Sequence, residues 1–65
     1  MKVLYFKDTD TLYIEFCRGR IADTKDLDEA TILDLDEEGN VCAITLEHAS
    51  TRTDVHHLTL DGIAA

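Results

Sequence analysis

Three histidines and one of the two cysteines are the residues of this chain best suited to bind a transition metal, namely Cys42, His48, His56 and His57. A structural zinc site uses four nitrogen or sulfur ligands that come in closely spaced pairs. The spacings here are irregular, and the adjacent His56 and His57 would point in different directions on a helix or a strand. We therefore predict no metal site, and we interpret the histidines as surface residues and Cys42 as a core thiol.

The segment 34–39, with the sequence DLDEEG, resembles the beginning of a calcium-binding loop. Such a loop needs an acidic residue at its twelfth position to bind the ion with two oxygens, and this chain has Thr45 there. The third carboxylate position holds Glu38, and the flanking residues favour strands, whereas this type of loop joins two helices. The prediction is a solvated turn between strands.

Nucleophilic catalysis requires a serine, cysteine or threonine beside a histidine, with a third residue to orient the histidine. His48 and Ser50 are close in sequence, and Cys17 could approach a histidine in space, but nothing marks either cysteine as activated. A chain this short has little room for a deep pocket. We therefore predict that it is not an enzyme and has no catalytic or cofactor-binding residues. Because no secretory signal is visible, we expect a reducing compartment and buried thiols at Cys17 and Cys42 rather than a structural disulfide.

Short alternating segments separated by turn residues indicate an antiparallel sheet. The predicted strands are 2–6, 11–17, 21–25, 30–36 and 41–48. The clearest turn signal is EEGN at 37–40, because a Gly-Asn pair suits a tight reversal. The predicted fold class is mainly β to α+β: a small antiparallel β-meander of four to five short strands in one domain, 1–65, with a short C-terminal helix as an option.

The C-terminal segment has two interpretations. In the first, Asp54 caps a short helix that carries Val55 and Leu58 on one side. In the second, His56, Leu58 and Leu60 alternate as a last strand. We favour the helix, because a sheet with one apolar face needs a cover.

The predicted strands are apolar on both sides. We predict that the core face holds Leu12, Ile14, Phe16, Leu33, Leu35, Ile44 and Leu46. The opposite face is mixed, is the predicted association surface, and holds Tyr13, Ile32, Val41 and Ala43. The first strand adds either Val3 and Tyr5 or Leu4 and Phe6 to that second face, depending on its register. Contiguous apolar patches of this kind mark association surfaces. A 65-residue chain also has a marginal core, so we predict a homodimer or a larger homo-oligomer.

The charge is concentrated in the middle of the chain. The formal net charge is −8, and residues 21–40 contain eight acids and one lysine. A strongly acidic chain is repelled by phosphate groups, so we expect no nucleic acid partner and no membrane. No apolar run approaches the length of a membrane helix, and the predicted location is cytoplasmic. The acidic middle segment either protects a sheet edge and keeps the chain soluble, or binds a basic protein.

Two blocks of the sequence resemble a family of small prokaryotic proteins, domain-of-unknown-function family 2283. They are Met1-Lys2-Val3 with Tyr5 and the run 8–14 (DTDTLYI), and the run 32–41 (ILDLDEEGNV) with Ile44, Ala49 and Ser50. The resemblance implies a small β-rich fold from bacteria or archaea, and it implies no catalytic residues. Members are sometimes suggested to be antitoxin-like because of neighbouring genes. The chain from Thr51 onward departs from the charged helical tail expected for the family.

These observations lead to two functional hypotheses. The first is a non-enzymatic cytoplasmic interaction module that self-associates through an apolar sheet face. The alternative is an antitoxin-like protein whose acidic middle segment masks a small basic toxin. A metal- or thiol-dependent small enzyme is a distant third.

Overall fold

The computed structural model describes residues 1–59 and 61, and its main feature is a five-stranded antiparallel sheet. The strands are β1 (Lys2–Phe6), β2 (Thr11–Glu15), β3 (Asp23–Asp28), β4 (Thr31–Leu35) and β5 (Val41–Leu46). A 3-10 turn, Ala49–Thr51, follows the last strand. The predicted fold class is confirmed, with five strands.

The strands lie in the order β1-β2-β5-β4-β3, and every neighbouring pair is antiparallel. β1 and β2 form a hairpin, and β3, β4 and β5 form a meander, as expected for strands joined by short turns. Because β5 pairs with β2, the connection 16–22 carries the chain from β2 to the far edge of the sheet. β1 and β3 are therefore the two edge strands.

The turn between β4 and β5 is held by one carboxylate. Asp36 Oδ1 accepts hydrogen bonds from the backbone N–H groups of Glu38 and Asn40, both at 2.9 Å. Gly39 has a φ of 85°, a left-handed conformation that costs glycine little because it has no Cβ. The turn predicted at 37–40 is confirmed, and its hydrogen bonds hold the pKa of Asp36 below its ordinary value, with the Asn40 N–H as the largest cause.

Only one layer of secondary structure is present in the described part of the chain. The molecule measures 36 × 32 × 17 Å, so it is flat. Among the described residues, the buried hydrophobic ones are Cys42, Ala43 and Ala49, and Cys42 is the largest side chain that is fully buried. The usual core residues Leu, Ile, Phe and Val all retain exposure to water in these residues.

The two cysteines form a disulfide, which corrects the prediction of buried free thiols. Cys17 follows β2 and Cys42 lies in β5, and their Cα atoms are 5.0 Å apart, within the usual range for disulfides. The prediction was wrong because it rested on an assumed reducing compartment and treated the cysteines separately. The pairing of β2 with β5 brings them together: the N–H groups of Phe16 and Cys17 both donate to the Cys42 carbonyl.

The structure also corrects details at the ends of the elements. β2 ends at Glu15, two residues before the predicted end, and β3 extends through Asp28, where a turn was expected. Residues 54–58 do not form the favoured helix, nor is the alternative strand present over the described residues; Leu60 lies outside them. Asp54 does act as a cap, but of a turn, because its Oδ1 accepts from the His56 N–H at 3.1 Å and the segment continues without helical hydrogen bonds.

Gly39 gives a direct test of the β4–β5 turn. We expect Gly39→Ala to lower the free energy of unfolding by about 1 kcal/mol, because a Cβ disfavours the left-handed conformation. No heavy atom lies within 4 Å of the added Cβ, so crowding plays no part. Gly19→Ala is the matched control: its Cβ would meet its neighbours at ordinary contact distances of 3.5 and 3.7 Å, and we expect a smaller effect. Urea unfolding measures both, and equal losses would contradict this account of the turn.

Candidate interaction surface

One face of the sheet is apolar across β1, β2, β5 and β4 apart from Thr31, and β3 adds Lys25 and Asp23 at its margin. The strand register places Val3, Ile14, Ile44 and Leu33 in one row across β1, β2, β5 and β4, and it places Tyr5, Leu12 and Leu46 in the next row. Leu35 continues this face along β4, since alternate residues of a strand share a face. We call these eight residues the apolar face. They include six of the seven residues predicted to share it, and Phe16 follows β2 at the same alternation.

The apolar face is open to water in the single chain. Val3 is 38% exposed and Phe16 is 44% exposed. The other seven residues of the apolar face are half-buried. Burying an apolar side chain fully contributes about 1.5–3 kcal/mol. The single chain therefore lacks part of the hydrophobic stabilisation that full burial of this face would give.

The opposite face is mixed, as predicted. The register places Leu4, Tyr13, Thr45 and Ile32 in one row, and Glu15, Ala43 and Asp34 in the next. The structure also settles the register of the first strand: Val3 and Tyr5 lie on the apolar face, and Leu4 and Phe6 lie on the mixed face. Polar groups interrupt the mixed face in both rows, so the apolar face is the better candidate for association.

Asp10 ties the β1–β2 turn to the segment after β5. Its carboxylate accepts hydrogen bonds from the Tyr5 hydroxyl at 2.6 Å, the Ser50 hydroxyl at 2.7 Å and the Ser50 N–H at 3.0 Å. Its carbonyl accepts from the Ala49 N–H at 2.9 Å. The Tyr5 hydrogen bond is the largest cause that holds the pKa of Asp10 below its ordinary value, and the same bond raises the pKa of Tyr5.

Arg52 makes the equivalent connection at the β3–β4 turn. Its guanidinium donates to the Ala30 carbonyl at 2.8 Å and to the Thr31 hydroxyl at 2.7 Å, and it lies 3.6 Å from Asp28 Oδ2. Asp28 in turn accepts from the Ala30 N–H at 2.8 Å, the largest cause that lowers the pKa of Asp28. Asp10 and Arg52 therefore fix the segment 49–52 across one end of the sheet.

The sequence analysis did not identify Asp10 or Arg52 as important. Asp10 lies in the family-like run 8–14, and the sequence pattern gives Arg52 no role. Ser50, one of the partners of Asp10, is 40 residues away in sequence, and Arg52 reaches back 22 residues to Ala30, so no local pattern reveals either contact. The structure also gives Asp10 a φ of 53°, a conformation that aspartate tolerates better than most residues.

The residues considered for metal binding lie apart. Cys42 is in the disulfide, His48 precedes the 3-10 turn, and His57 Nδ1 lies 2.7 Å from Asp54 Oδ2. Over residues 1–59 and 61, no group of three or more His, Cys, Asp or Glu side chains is placed to bind an ion. Asp34 and Asp36 serve other roles, since Asp34 Oδ1 accepts from the Thr24 hydroxyl at 3.0 Å and Asp36 holds its turn.

The acids of the middle segment are spread over one edge and one turn. Asp23, Asp26 and Asp28 lie on the exposed edge strand β3, and Glu37 and Glu38 lie in the exposed β4–β5 turn. Charged side chains on an edge strand hinder pairing with another sheet. The arrangement therefore protects one edge of the sheet and leaves the faces available.

Asp10→Asn tests the carboxylate that anchors the 49–52 segment. We expect a lower urea midpoint at pH 7, because the amide has no charge and only one acceptor oxygen, and its NH2 group cannot accept the hydrogen bond of the Ser50 hydroxyl. The pKa of Asp10 in the folded protein lies below its ordinary value of 3.8, so its contribution is present at neutral pH and is lost as pH falls through the folded-state pKa. The difference from wild type should shrink below about pH 4.

The exposed Asp8, in the same turn, supplies the control. Asp8→Asn should leave the urea midpoint close to that of wild type at both pH values. A gap between wild type and Asp10→Asn that stays constant from pH 7 down to about pH 2.5 would show that the charge of Asp10 is not what stabilises the segment.

Comparison with known proteins identifies a family but no characterised relative. The family described as "Protein of unknown function (DUF2283)" matches residues 2–50, which include all five strands, both cysteines and the Asp10–Ser50 connection. No curated protein and no solved structure matches the chain. Within the described residues, none of the helical structure is long and apolar enough to cross a bilayer. With this match over most of its length, the chain belongs to the DUF2283 family of proteins of unknown function.

Proposed function

We propose that this chain is a non-enzymatic interaction module that self-associates through the apolar face and acts in the cytoplasm. The proposal depends on one observation: the apolar face is exposed, and the described residues form a single layer of secondary structure. A β-sheet with an apolar face is stable when a second layer covers it, and the described residues supply none. In the proposed dimer, the apolar face of a second copy covers this face.

The exposed area supports a second copy as the cover. The accessible surface of the chain is 5284 Å². A compact monomer of this mass is expected to expose about 4,200 Å². The exposed residues 50–54 and 56–59 and the two open faces of the sheet both contribute to the excess. That excess is comparable with the roughly 800 Å² that each partner buries in an interface of standard size.

The geometry suits face-to-face packing of two sheets. Sheets that pack in this way lie about 10 Å apart with their side chains interdigitated, and a two-fold axis would pair the apolar face with itself. β4 and β5 would form the centre, because Leu33 and Ile44 lie directly opposite each other there. Each copy carries a net charge of −8, so the copies repel at long range. We therefore expect added salt to strengthen the dimer, through screening of this repulsion.

Val3→Glu tests the apolar face with little risk to folding, since Val3 lies on an edge strand and is 38% exposed. The change places a charge in the interface twice, once in each copy, and we expect the dissociation constant to rise by more than about tenfold. Leu4→Glu, on the mixed face of the same strand, is the matched control and should leave association nearly unchanged. Light scattering and sedimentation across a dilution series measure both variants.

Two results would contradict the proposed surface. The first is an equal loss of association in Val3→Glu and Leu4→Glu, which would place the contact elsewhere. The second is a wild-type chain that stays folded and monomeric up to about 100 μM, a concentration at which most specific homodimers are assembled.

The alternative hypothesis of a basic partner remains a prediction. The exposed acids of β3 and the β4–β5 turn would attract a cationic protein, but protection of the edge accounts for them equally well. Affinity purification from native lysate separates the two. A stoichiometric small basic protein, released by salt, would favour the antitoxin-like hypothesis, and recovery of the homo-oligomer alone would count against it.

A further inference from the structure

The disulfide has one buried end and one accessible end. Cys42 lies within β5 and is fully buried. Cys17 lies in the exposed connection that leaves β2. Gly19 lies over both sulfurs, since a Cβ built on it would be 3.5 Å from the Cys17 Sγ and 3.7 Å from the Cys42 Sγ. A reagent from solution therefore has a route to Cys17, while the strand and the Gly19 backbone cover Cys42.

A cavity opens beside Cys17. Its volume is about 280 Å³, and its wall is formed by Met1, Lys2, Glu15, Phe16, Cys17 and Arg18. This volume is close to the lower end of the range for small-molecule sites, about 300 Å³. The cavity lies at the open end of the β1–β2 hairpin, so a small molecule could enter it and reach the disulfide without any rearrangement of the sheet.

The cavity differs in charge from the rest of the molecule. Lys2 and Arg18 contribute two cations against the single carboxylate of Glu15, in a chain whose net charge is −8. Arg18 is the direct neighbour of Cys17, and its cation attracts an approaching anionic thiolate toward that sulfur. The local field therefore favours an anionic molecule, although the field of the whole chain repels it.

We propose that the Cys17–Cys42 disulfide is a thiol-exchange site for a small anionic thiol, which binds in this cavity and reacts at Cys17. The thiolate of the small molecule attacks the Cys17 sulfur and forms a mixed disulfide with it. The S–S bond to Cys42 breaks, and Cys42 leaves with the electron pair and takes up a proton. A second thiolate then attacks the small molecule's sulfur in the mixed disulfide. The products are the oxidised small disulfide and two cysteine thiols, so two electrons pass to the protein.

The position of the disulfide gives the exchange a structural consequence. Cys17 begins the connection 16–22, which crosses from β2 to the edge strand β3. The disulfide ties this connection to β5 and closes a loop with a sequence separation of 25 residues. Its reduction frees the connection and raises the entropy of the unfolded chain, so the reduced protein is the less stable form. Disulfides in reducing compartments are usually transient and redox-active, as this proposal requires.

The test measures reduction of the purified oxidised full-length chain by two thiols of opposite charge, glutathione and cysteamine, at equal thiolate concentrations. The variant Lys2→Gln/Arg18→Gln removes the cations of the cavity. The variant Lys7→Gln/Lys25→Gln is the matched control, because it removes the same charge from the β1–β2 turn and from β3. We expect the cavity variant to react about fivefold more slowly with glutathione than the control variant does, and not more slowly with cysteamine.

A second readout locates the reacting sulfur. Alkylation after brief exposure to glutathione, followed by mass spectrometry of the peptides, should find glutathione on Cys17 and the alkyl group on Cys42. Three results would overturn the proposal: glutathione attached mainly to Cys42, equal glutathione rates in the two double variants, or a chain in which air or oxidised glutathione forms no Cys17–Cys42 bond. Each of these can be read from the folded wild-type protein or from surface variants that leave the sheet intact.

Discussion

The constraint on which this structure depends is the need to keep water from an apolar face when the chain provides only one layer. Hydrogen bonds between strands satisfy the backbone, but they do not remove side chains from solvent. The described residues fully bury just one alanine and one cysteine on the strands and one alanine beyond them. Leu33, Ile44 and their neighbours on the apolar face therefore stay partly exposed in the single chain, and this exposure is the basis of the proposal that a second copy covers them.

Other features of the fold agree with a sheet whose faces are reserved for packing. The acids lie on the edge strand β3 and in a turn, where their charges oppose pairing at the edge, and Asp23 lies beside Leu35 at the margin of the apolar face. Asp10 and Arg52 hold the segment 49–52 at one end of the sheet through Tyr5 and Thr31, which lie on the same side of the sheet as the apolar face. The disulfide joins the central strand β5 to the connection at the other end. Cross-links at both ends thus support a layer that lacks a core of its own.

Much of the fold follows from local patterns in the sequence. Alternation placed Leu12 with Ile14 and Ile44 with Leu46 on common faces, and the Gly39-Asn40 pair located the β4–β5 turn; all are confirmed. The strand order could not be predicted, because the connection 16–22 carries no signal that it crosses to the far edge. The predicted helix at 54–58 is wrong because Asp54 caps a single turn: its side chain accepts from the His56 N–H and its carbonyl from the His57 N–H, and no further helical hydrogen bond follows over the described residues.

The site itself was predictable in outline only. The apolar face follows from periodicity, whereas the disulfide and the Asp10–Ser50 connection follow from strand pairing and from contacts between residues far apart in sequence. Family membership adds no function, since DUF2283 is itself a family of unknown function. The proposed function therefore depends on the exposed apolar face.

The most direct test of this account is the dependence of the unfolding midpoint on protein concentration. If a second copy supplies the missing layer, the urea midpoint of the oxidised chain rises steadily as the total concentration increases from nanomolar to about 100 μM, because assembly stabilises the fold by mass action. A cooperative transition with the same midpoint at every concentration would contradict the account, since it would show that one layer is sufficient.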